Sequence, residues 1–259
     1  MNEKPLITIV LPALNEEGAI ATVIQEIVDA YTRLSIKGEI LVINDGSTDG
    51  TKQIVEDFQK EYLFIRLINH EKPHGVGPST WEGFKAAHGE LVTCLPADGE
   101  NDPSEILRYV PLMQHVDMVV PFILNPEVRP RYRLYISRFY KLIINVTFGC
   151  LINYMNGCVL YRKSILDVIQ PRTSGFFLQT EILIKGIKAG FLYAEVPFAI
   201  FPRTAGESKA LGFKSLGRVI SGYFSTVLAI YYWKDYRASS KKNTITEKRR
   251  LAVAARLGS

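Results

Sequence analysis

Cysteine is scarce in this chain. Cys94, Cys150 and Cys158 form an odd set with no C-x-x-C spacing. That excludes a disulfide framework and a cysteine-built zinc module, and fits reduced core thiols of a cytoplasmic protein. Also missing is an apolar run of the roughly 18 residues a membrane-crossing helix needs. The nearest candidate, residues 219–233, is shorter and carries Ser221, Gly222, Ser225 and Thr226. No secretory leader is expected, because Met1-Asn-Glu-Lys-Pro5 runs straight into a strand. The body lacks net charge: the formal +5 of the chain is carried by residues 239–259, where six Lys/Arg stand against Glu247. A neutral body argues against a nucleic-acid partner, and the basic extension reads as a solvated tail without fixed structure. Finally, no dinucleotide fingerprint follows the first strand. Gly75-Val-Gly77, with Gly83 and Gly89 beyond, has the wrong spacing and comes after the third strand. Those glycines either supply unusual backbone angles and close approach at a helix start or pack against a nucleotide.

What is present is a regular alternation. Residues 6–11 form a near-continuous β-branched strand, followed by the turn Pro12-Ala-Leu-Asn15, with Asn15 expected as N-cap and Glu16 and Glu17 in the first helical turn. Ile20, Val23, Ile24, Ile27, Tyr31 and Leu34 then recur at helical spacing up to Gly38, which is expected to close the helix. A second strand, 39–43, ends in the turn-forming run Asn44-Asp-Gly-Ser-Thr-Asp-Gly50. A helix over 51–61 and a strand over 64–68 complete βαβαβ, and a helix over 79–87 and a strand over 117–121 are expected further on. This order predicts a doubly wound, mostly parallel α/β sheet, whose ligands sit beyond the carboxyl ends of the strands. Asn15, Asp45 and Asp98 all fall at such ends.

The stretch 90–103 is the richest in chemistry. The short apolar strand 91–95 breaks at Pro96-Ala97, and Asp98, Glu100 and Asp102 follow within five positions. Carboxylates at the rim of a parallel sheet are hard oxygen ligands for a divalent cation on a phosphorylated substrate; an acidic surface loop is the alternative. Pro103-Ser-Glu105 reads as the first turn of a helix. Residues 129–141 hold five basic residues, no acid and four aromatics. If the segment is helical from Arg131, then Arg131, Tyr135 and Arg138 share a face. It is either a solvated face or a clamp for phosphate or a phospholipid headgroup. In 219–233, Ile220, Tyr223, Phe224, Val227 and Leu228 share one face with Tyr231, Tyr232 and Trp233 at the end, which suits either core packing or contact with a membrane surface.

Taken together, six ordered segments over residues 6–210 resemble the family-2 glycosyltransferases of the GT-A fold, in the group that includes dolichyl- and polyprenyl-phosphate mannose synthases. They are Val10-Leu-Pro-Ala-Leu-Asn-Glu-Glu17, Val42-Ile-Asn-Asp-Gly-Ser-Thr-Asp-Gly-Thr51, Gly75-Val-Gly77, Asn156-Gly-Cys-Val-Leu-Tyr-Arg162, Phe177-Leu-Gln-Thr-Glu181, and Glu195-Val-Pro with Arg203-Thr-Ala-Gly-Glu-Ser-Lys209. Asn44 stands where the second segment has its first Asp in the family. The DxDxQ metal motif aligns with Pro96-Ala-Asp-Gly-Glu100, so Pro96 replaces the first Asp and Glu100 the Gln.

The resemblance implies a GT-A domain over 1–212, an apolar helix over 213–238 and the basic tail 239–259. It implies that Pro12, Ala13, Asn15, Glu16, Asp45, Gly46 and Gly75 line the nucleotide and that Asp98 and Glu100 hold Mg²⁺ or Mn²⁺. Arg131, Arg138, Arg203, Ser208 and Lys209 would hold phosphates, with Arg131 and Arg203 counted in the catalytic set. Glu181 is the expected base if the acceptor is a hydroxyl; a polyprenyl-phosphate acceptor, already an anion, needs none. The implied reaction is inverting transfer of a hexose from a GDP- or UDP-linked donor to polyprenyl phosphate. The alternatives are transfer to a saccharide hydroxyl and a catalytically silent nucleotide-binding homologue carrying Pro96. The expected location is cytoplasmic, peripheral on the inner face of the plasma membrane.

Overall fold

Strands whose residues are buried on both faces build the first half of the protein. The computed structural model describes residues 4–175, 177–201, 213–236 and 242–257. In chain order come β1 (Ile7–Ala13), α1 (Ile20–Arg33), β2 (Gly38–Asn44), α2 (Thr51–Glu61), β3 (Ile65–Asn69), α3 (Val76–Ala86) and β4 (Leu91–Cys94). The second half adds α4 (Pro103–Leu107), β5 (Met118–Ile123), α5 (Arg131–Phe148), β6 (Leu160–Arg162), α6 (Lys163–Leu166), α7 (Leu178–Lys188), β7 (Tyr193–Phe198), α8 (Phe213–Tyr231) and α9 (Ile245–Leu257). One sheet of seven strands results, ordered β3-β2-β1-β4-β6-β5-β7, with β6 alone antiparallel to its neighbours.

Successive residues of β1 point to opposite layers. Ile9 and Leu11 join α1 in one buried cluster, while Val10 joins Phe84, Phe148 and Leu183 in the other. Helices therefore cover both faces, which is why the strands read as unbroken apolar runs. β1 pairs with β2 on one side and β4 on the other, both in parallel. Strand order reverses there, so a crevice opens beyond the carboxyl ends of β1 and its neighbours. The doubly wound, mostly parallel sheet expected from the sequence is the one observed.

Three local expectations differ. α1 begins at Ile20 after Ala19, with no acid in its first turn; Asn15 instead adopts φ 56° and binds across to the next loop. The same helix ends at Arg33, and Gly38 opens β2 rather than closing α1. A Cβ on Gly38 would fall 2.1 Å from the Tyr31 ring, so the glycine is needed for that packing. Third, the basic extension is not featureless: it contains α9. Thr244, Ile245 and Thr246 are buried, and the Ile245 and Thr246 N–H groups donate to Asp117 at 2.6 and 2.9 Å. Thr244 Oγ1 accepts from the Glu247 N–H as N-cap, a T-x-x-E start signal that overall composition concealed. Residues 248–257 of α9 are exposed.

Candidate active site

The β1 and β2 exits are stitched into one unit. The Asp45 N–H donates to Ala13 O at 2.8 Å, extending the β1–β2 ladder past Pro12 and Ala13. Asn15 Oδ1 accepts from the Thr48 N–H at 2.8 Å, and the Asn15 N–H donates to Ser47 Oγ at 2.9 Å. The Glu16 N–H donates to Thr51 Oγ1, and Glu17 accepts from the Gly50 N–H at 2.7 Å. Backbone donors of two loops are thus satisfied by each other's side chains, which fixes the wall of the crevice.

Asp45 is the centre of that wall. Its buried carboxylate lies 2.8 Å from His70 Nδ1 and accepts 2.8 Å bonds from the N–H groups of His74 and Gly75. Gly75 presents its N–H at φ 99°, a conformation open to glycine. Gly46, at φ 77°, packs on the backbone of Lys72 and Pro73. Burial raises the Asp45 pKa, but the His70 ring and the two N–H groups outweigh it and hold the carboxyl below its usual range. His70 Nε2 lies 2.7 Å from Glu82. Burial works against charging His70, yet the flanking carboxylates of Asp45 and Glu82 win and raise its pKa above the usual value. The three side chains form a carboxylate–imidazole–carboxylate row.

Beyond β4 the geometry is open. The Leu95 N–H bonds Val10 O, and the chain then turns away so that Pro96, Asp98 and Glu100 line a cavity of about 140 Å³ together with Arg129, Tyr154 and Asn156. The Glu100 N–H donates to Asp98 at 3.2 Å. Asp102, the third acid, caps α4 by accepting from the Ser104 N–H at 2.7 Å. Of the three acids, then, two face the cavity and one is structural. The two carboxylates are hard oxygen ligands that suit a hard cation such as Mg²⁺ or Mn²⁺. Arg129 donates to the Tyr154 hydroxyl at 3.2 Å, with its guanidinium over that ring.

Other expected site residues lie elsewhere. Glu181 is fully buried; its carboxylate accepts from the N–H groups of Arg172 and Thr173 and pairs with buried Lys185 at 2.7 Å. It fastens the 172–173 segment to α7 instead of lining the cavity. Arg131 is exposed at the start of α5. Arg138 lines a different, open groove of about 400 Å³ with Lys141, Leu142, Asn145, Val146 and Leu151. Neither arginine lines the Asp98 cavity. Arg203, Ser208 and Lys209 lie outside the described residues.

Residues 8–170 match the family model Glycosyl transferase family 2. The chain belongs to glycosyl transferase family 2. It is 24% identical over 236 residues to the dolichol-phosphate mannosyltransferase of Pyrococcus furiosus, covering 88% of this chain and 64% of that protein. It is 30% identical over 170 residues to the undecaprenyl-phosphate 4-deoxy-4-formamido-L-arabinose transferase of Aeromonas hydrophila, covering 63% and 51% of the two chains. This chain therefore spans from about half to under two thirds of the length of these relatives. In structure it resembles the glucosyl-3-phosphoglycerate synthase of Mycobacterium tuberculosis, solved with Mn²⁺, UDP and glucosyl-3-phosphoglycerate. The TM-score is 0.65 at 22% identity, over 86% of this chain and 80% of that one.

Within glycosyl transferase family 2, one departure of this chain, Asn44, has a local reason. Asn44 donates to Asn69 Oδ1 at 2.5 Å and accepts from the Ser47 N–H; a carboxylate could not make the first bond. Several residues of the site escaped the sequence reading. His70 and His74 carried no motif, although His70 follows β3 directly, as Asp45 follows β2. Arg129 was submerged in a run of five basic residues. Asn156 stood within a matched segment, and its role emerges from contacts: Tyr140 OH, Thr180 Oγ1 and Asn156 Oδ1 are linked by two 2.8 Å bonds.

Proposed function

We propose that this protein transfers a hexose, with inversion, from a nucleoside-diphosphate sugar to a polyprenyl phosphate. The observation that carries this reading is the meeting of Asp98, Glu100 and Arg129 in one open cavity at the β4 exit. The donor's nucleoside lies along the wall of Pro12, Ala13, Asn15, Glu16, Asp45, Gly46 and Gly75. Asp98 and Glu100 would hold Mg²⁺ or Mn²⁺, which would supply positive charge beside the donor diphosphate. Asp45, fixed by its own donors, is already oriented before substrate arrives, so no reorganisation is needed there. Arg129 offers a planar fork of donors to acceptor phosphate oxygens.

The lipid acceptor is favoured over a saccharide hydroxyl by the state of Glu181. The residue a hydroxyl acceptor would have used as base is committed to Arg172, Thr173 and Lys185. A phosphate monoester needs no base. The relatives named as dolichol- and undecaprenyl-phosphate transferases support the same choice.

No described helix is long and apolar enough to cross a membrane. α5 and α8 nevertheless pack side by side, with Tyr223 OH bonded to Thr147 and Phe148 stacked near Tyr231. Their outer sides expose Tyr135, Phe139 and Val146, and Ile220, Phe224 and Leu228. We assign this face to peripheral contact with a lipid surface, flanked by Arg131, Arg138 and Lys141. The test is incubation of UDP- and GDP-hexoses with short-chain polyprenyl phosphate and, separately, with free saccharides. The account expects a polyprenyl-phosphate hexose as product; efficient transfer to saccharide with none to lipid phosphate refutes it.

A further inference from the structure

We propose that Asp45, His70 and His74 form a second divalent-cation site, suited to Zn²⁺, on the nucleoside wall and separate from the Asp98–Glu100 carboxylates. One donor atom from each of the three residues lies within 4.8 Å of the others. Tetrahedral zinc with bonds of about 2.0–2.1 Å wants its ligands about 3.3 Å apart. His70 Nδ1 and Asp45 Oδ1 are already 2.8 Å apart, and His74, exposed on the short segment after β3, has room to close the remaining distance.

Three features prepare the site. The N–H groups of His74 and Gly75 orient the Asp45 carboxylate. Glu82 holds His70 Nε2 at 2.7 Å and so aims Nδ1 at Asp45, the carboxylate–imidazole arrangement that orients metal-bound histidines. The His70-x₃-His74 spacing is one that zinc sites use, and the His74 ring stacks on His70 with centroids 4.3 Å apart. The side-chain row Asp45–His70–Glu82 is complete without the His74 ring, so that row does not account for the ring's placement. On binding, the cation takes the position of the proton between His70 and Asp45, and the proton leaves to solvent.

Two imidazoles and one carboxylate select Zn²⁺ and similar ions, whereas Mg²⁺ prefers oxygen ligands throughout. The chain thus carries two cation sites of opposite preference. The consequence for turnover rests on the nucleoside placement proposed above: with Asp45 coordinated, Zn²⁺ and donor nucleotide exclude each other, and Mg²⁺ does not relieve the inhibition.

The experiment titrates the full chain with Zn²⁺ in saturating Mg²⁺, read by calorimetry or competition with a chromophoric chelator. Wild type should bind one equivalent, His74→Ala at least tenfold more weakly, and Asp98→Ala like wild type. Equal affinity in wild type and His74→Ala, or loss in Asp98→Ala, overturns the site. His74→Ala removes an exposed ring, and an unchanged melting curve shows that it folds; His70→Gln provides a second variant. Displacement of the bound Zn²⁺ by UDP or GDP supports the overlap. Retention of a His74-dependent Zn²⁺ against saturating nucleotide upholds the metal site and refutes the nucleoside placement.

Discussion

Asp45 and Asp98 follow the strands that flank β1 on either side, and the protein treats them in opposite ways. Asp45 is buried and ringed by His70 and two backbone N–H groups. Asp98 opens onto a cavity shared with Glu100 and Arg129. A carboxylate surrounded by the protein's own donors is oriented when the chain folds. A carboxylate beside another carboxylate in an open cavity gains most from a cation brought from outside. On the proposed function, the first would shape the donor pocket and the second would act once substrate and metal are bound.

That contrast is broken most severely by Asp98→Ala. Turnover should fall at least ~1000-fold, about 4 kcal/mol of transition-state stabilisation, with no change in melting temperature. Asp45→Asn should lower both donor affinity and melting temperature, because it unsettles a hydrogen-bonded wall. Steady-state kinetics beside thermal melts separates the two, and equal behaviour of the pair would erase the distinction.

Glu181→Gln comes next and extends the contrast to a buried carboxylate outside the cavity. Removing the nearer of the two carboxylates that face buried Lys185, with Asp235 left at 3.9 Å, should cost about 3 kcal/mol of stability, measured by urea unfolding, while kcat stays within a few-fold. A large loss of kcat in folded Glu181→Gln would return the residue to chemistry and favour a hydroxyl acceptor.

Arg129→Ala should reduce kcat/KM for polyprenyl phosphate about 100-fold, roughly 2.7 kcal/mol, and leave donor affinity unchanged in calorimetry. Arg131→Ala and Arg138→Ala, which do not line the cavity, should act more weakly and through lipid presentation. If Arg138→Ala outweighs Arg129→Ala in a detergent assay, the acceptor phosphate is held on the α5 groove instead.

The smallest effect concerns Glu39, buried at the opposite end of β2 from Asp45. Burial raises its pKa, but bonds from Thr8, Arg66 and the His88 N–H overcome this and set it below the usual value. A depressed carboxyl contributes stability above its unfolded pKa and loses it as pH falls through the folded one. Glu39→Gln should therefore cost about 1–3 kcal/mol at pH 7 and close the gap to wild type as pH drops below about 4. A constant difference across that range would contradict the assignment.

Much of this architecture could be seen in the sequence because strands buried on both faces leave unmistakable apolar runs, and because turn formers mark the loops where Asp45 and Asp98 sit. The misses share one cause: side-chain function was assigned by chain position where three-dimensional partners decide it. Asn15 looked like a helix cap and turned out to bridge two loops. Glu181 and Lys185 stood at i, i+4 spacing, yet nothing in one dimension said the pair was buried. Asp102 stood in one acidic cluster with Asp98 and Glu100, and its place before Pro103 proved to be a cap. His70 had no motif, and its importance comes entirely from lying between Asp45 and Glu82.

The central claim is that Asp98 and Glu100 hold the metal that binds the donor diphosphate even though Pro96 occupies the first position of the motif. Calorimetry of UDP and GDP binding, with and without Mn²⁺, in wild type and Asp98→Ala tests it most directly. Mn²⁺ should tighten one nucleotide at least tenfold in wild type and have no effect in Asp98→Ala. Nucleotide affinity that ignores Mn²⁺ in wild type, or a Mn²⁺ effect that survives Asp98→Ala, would contradict it.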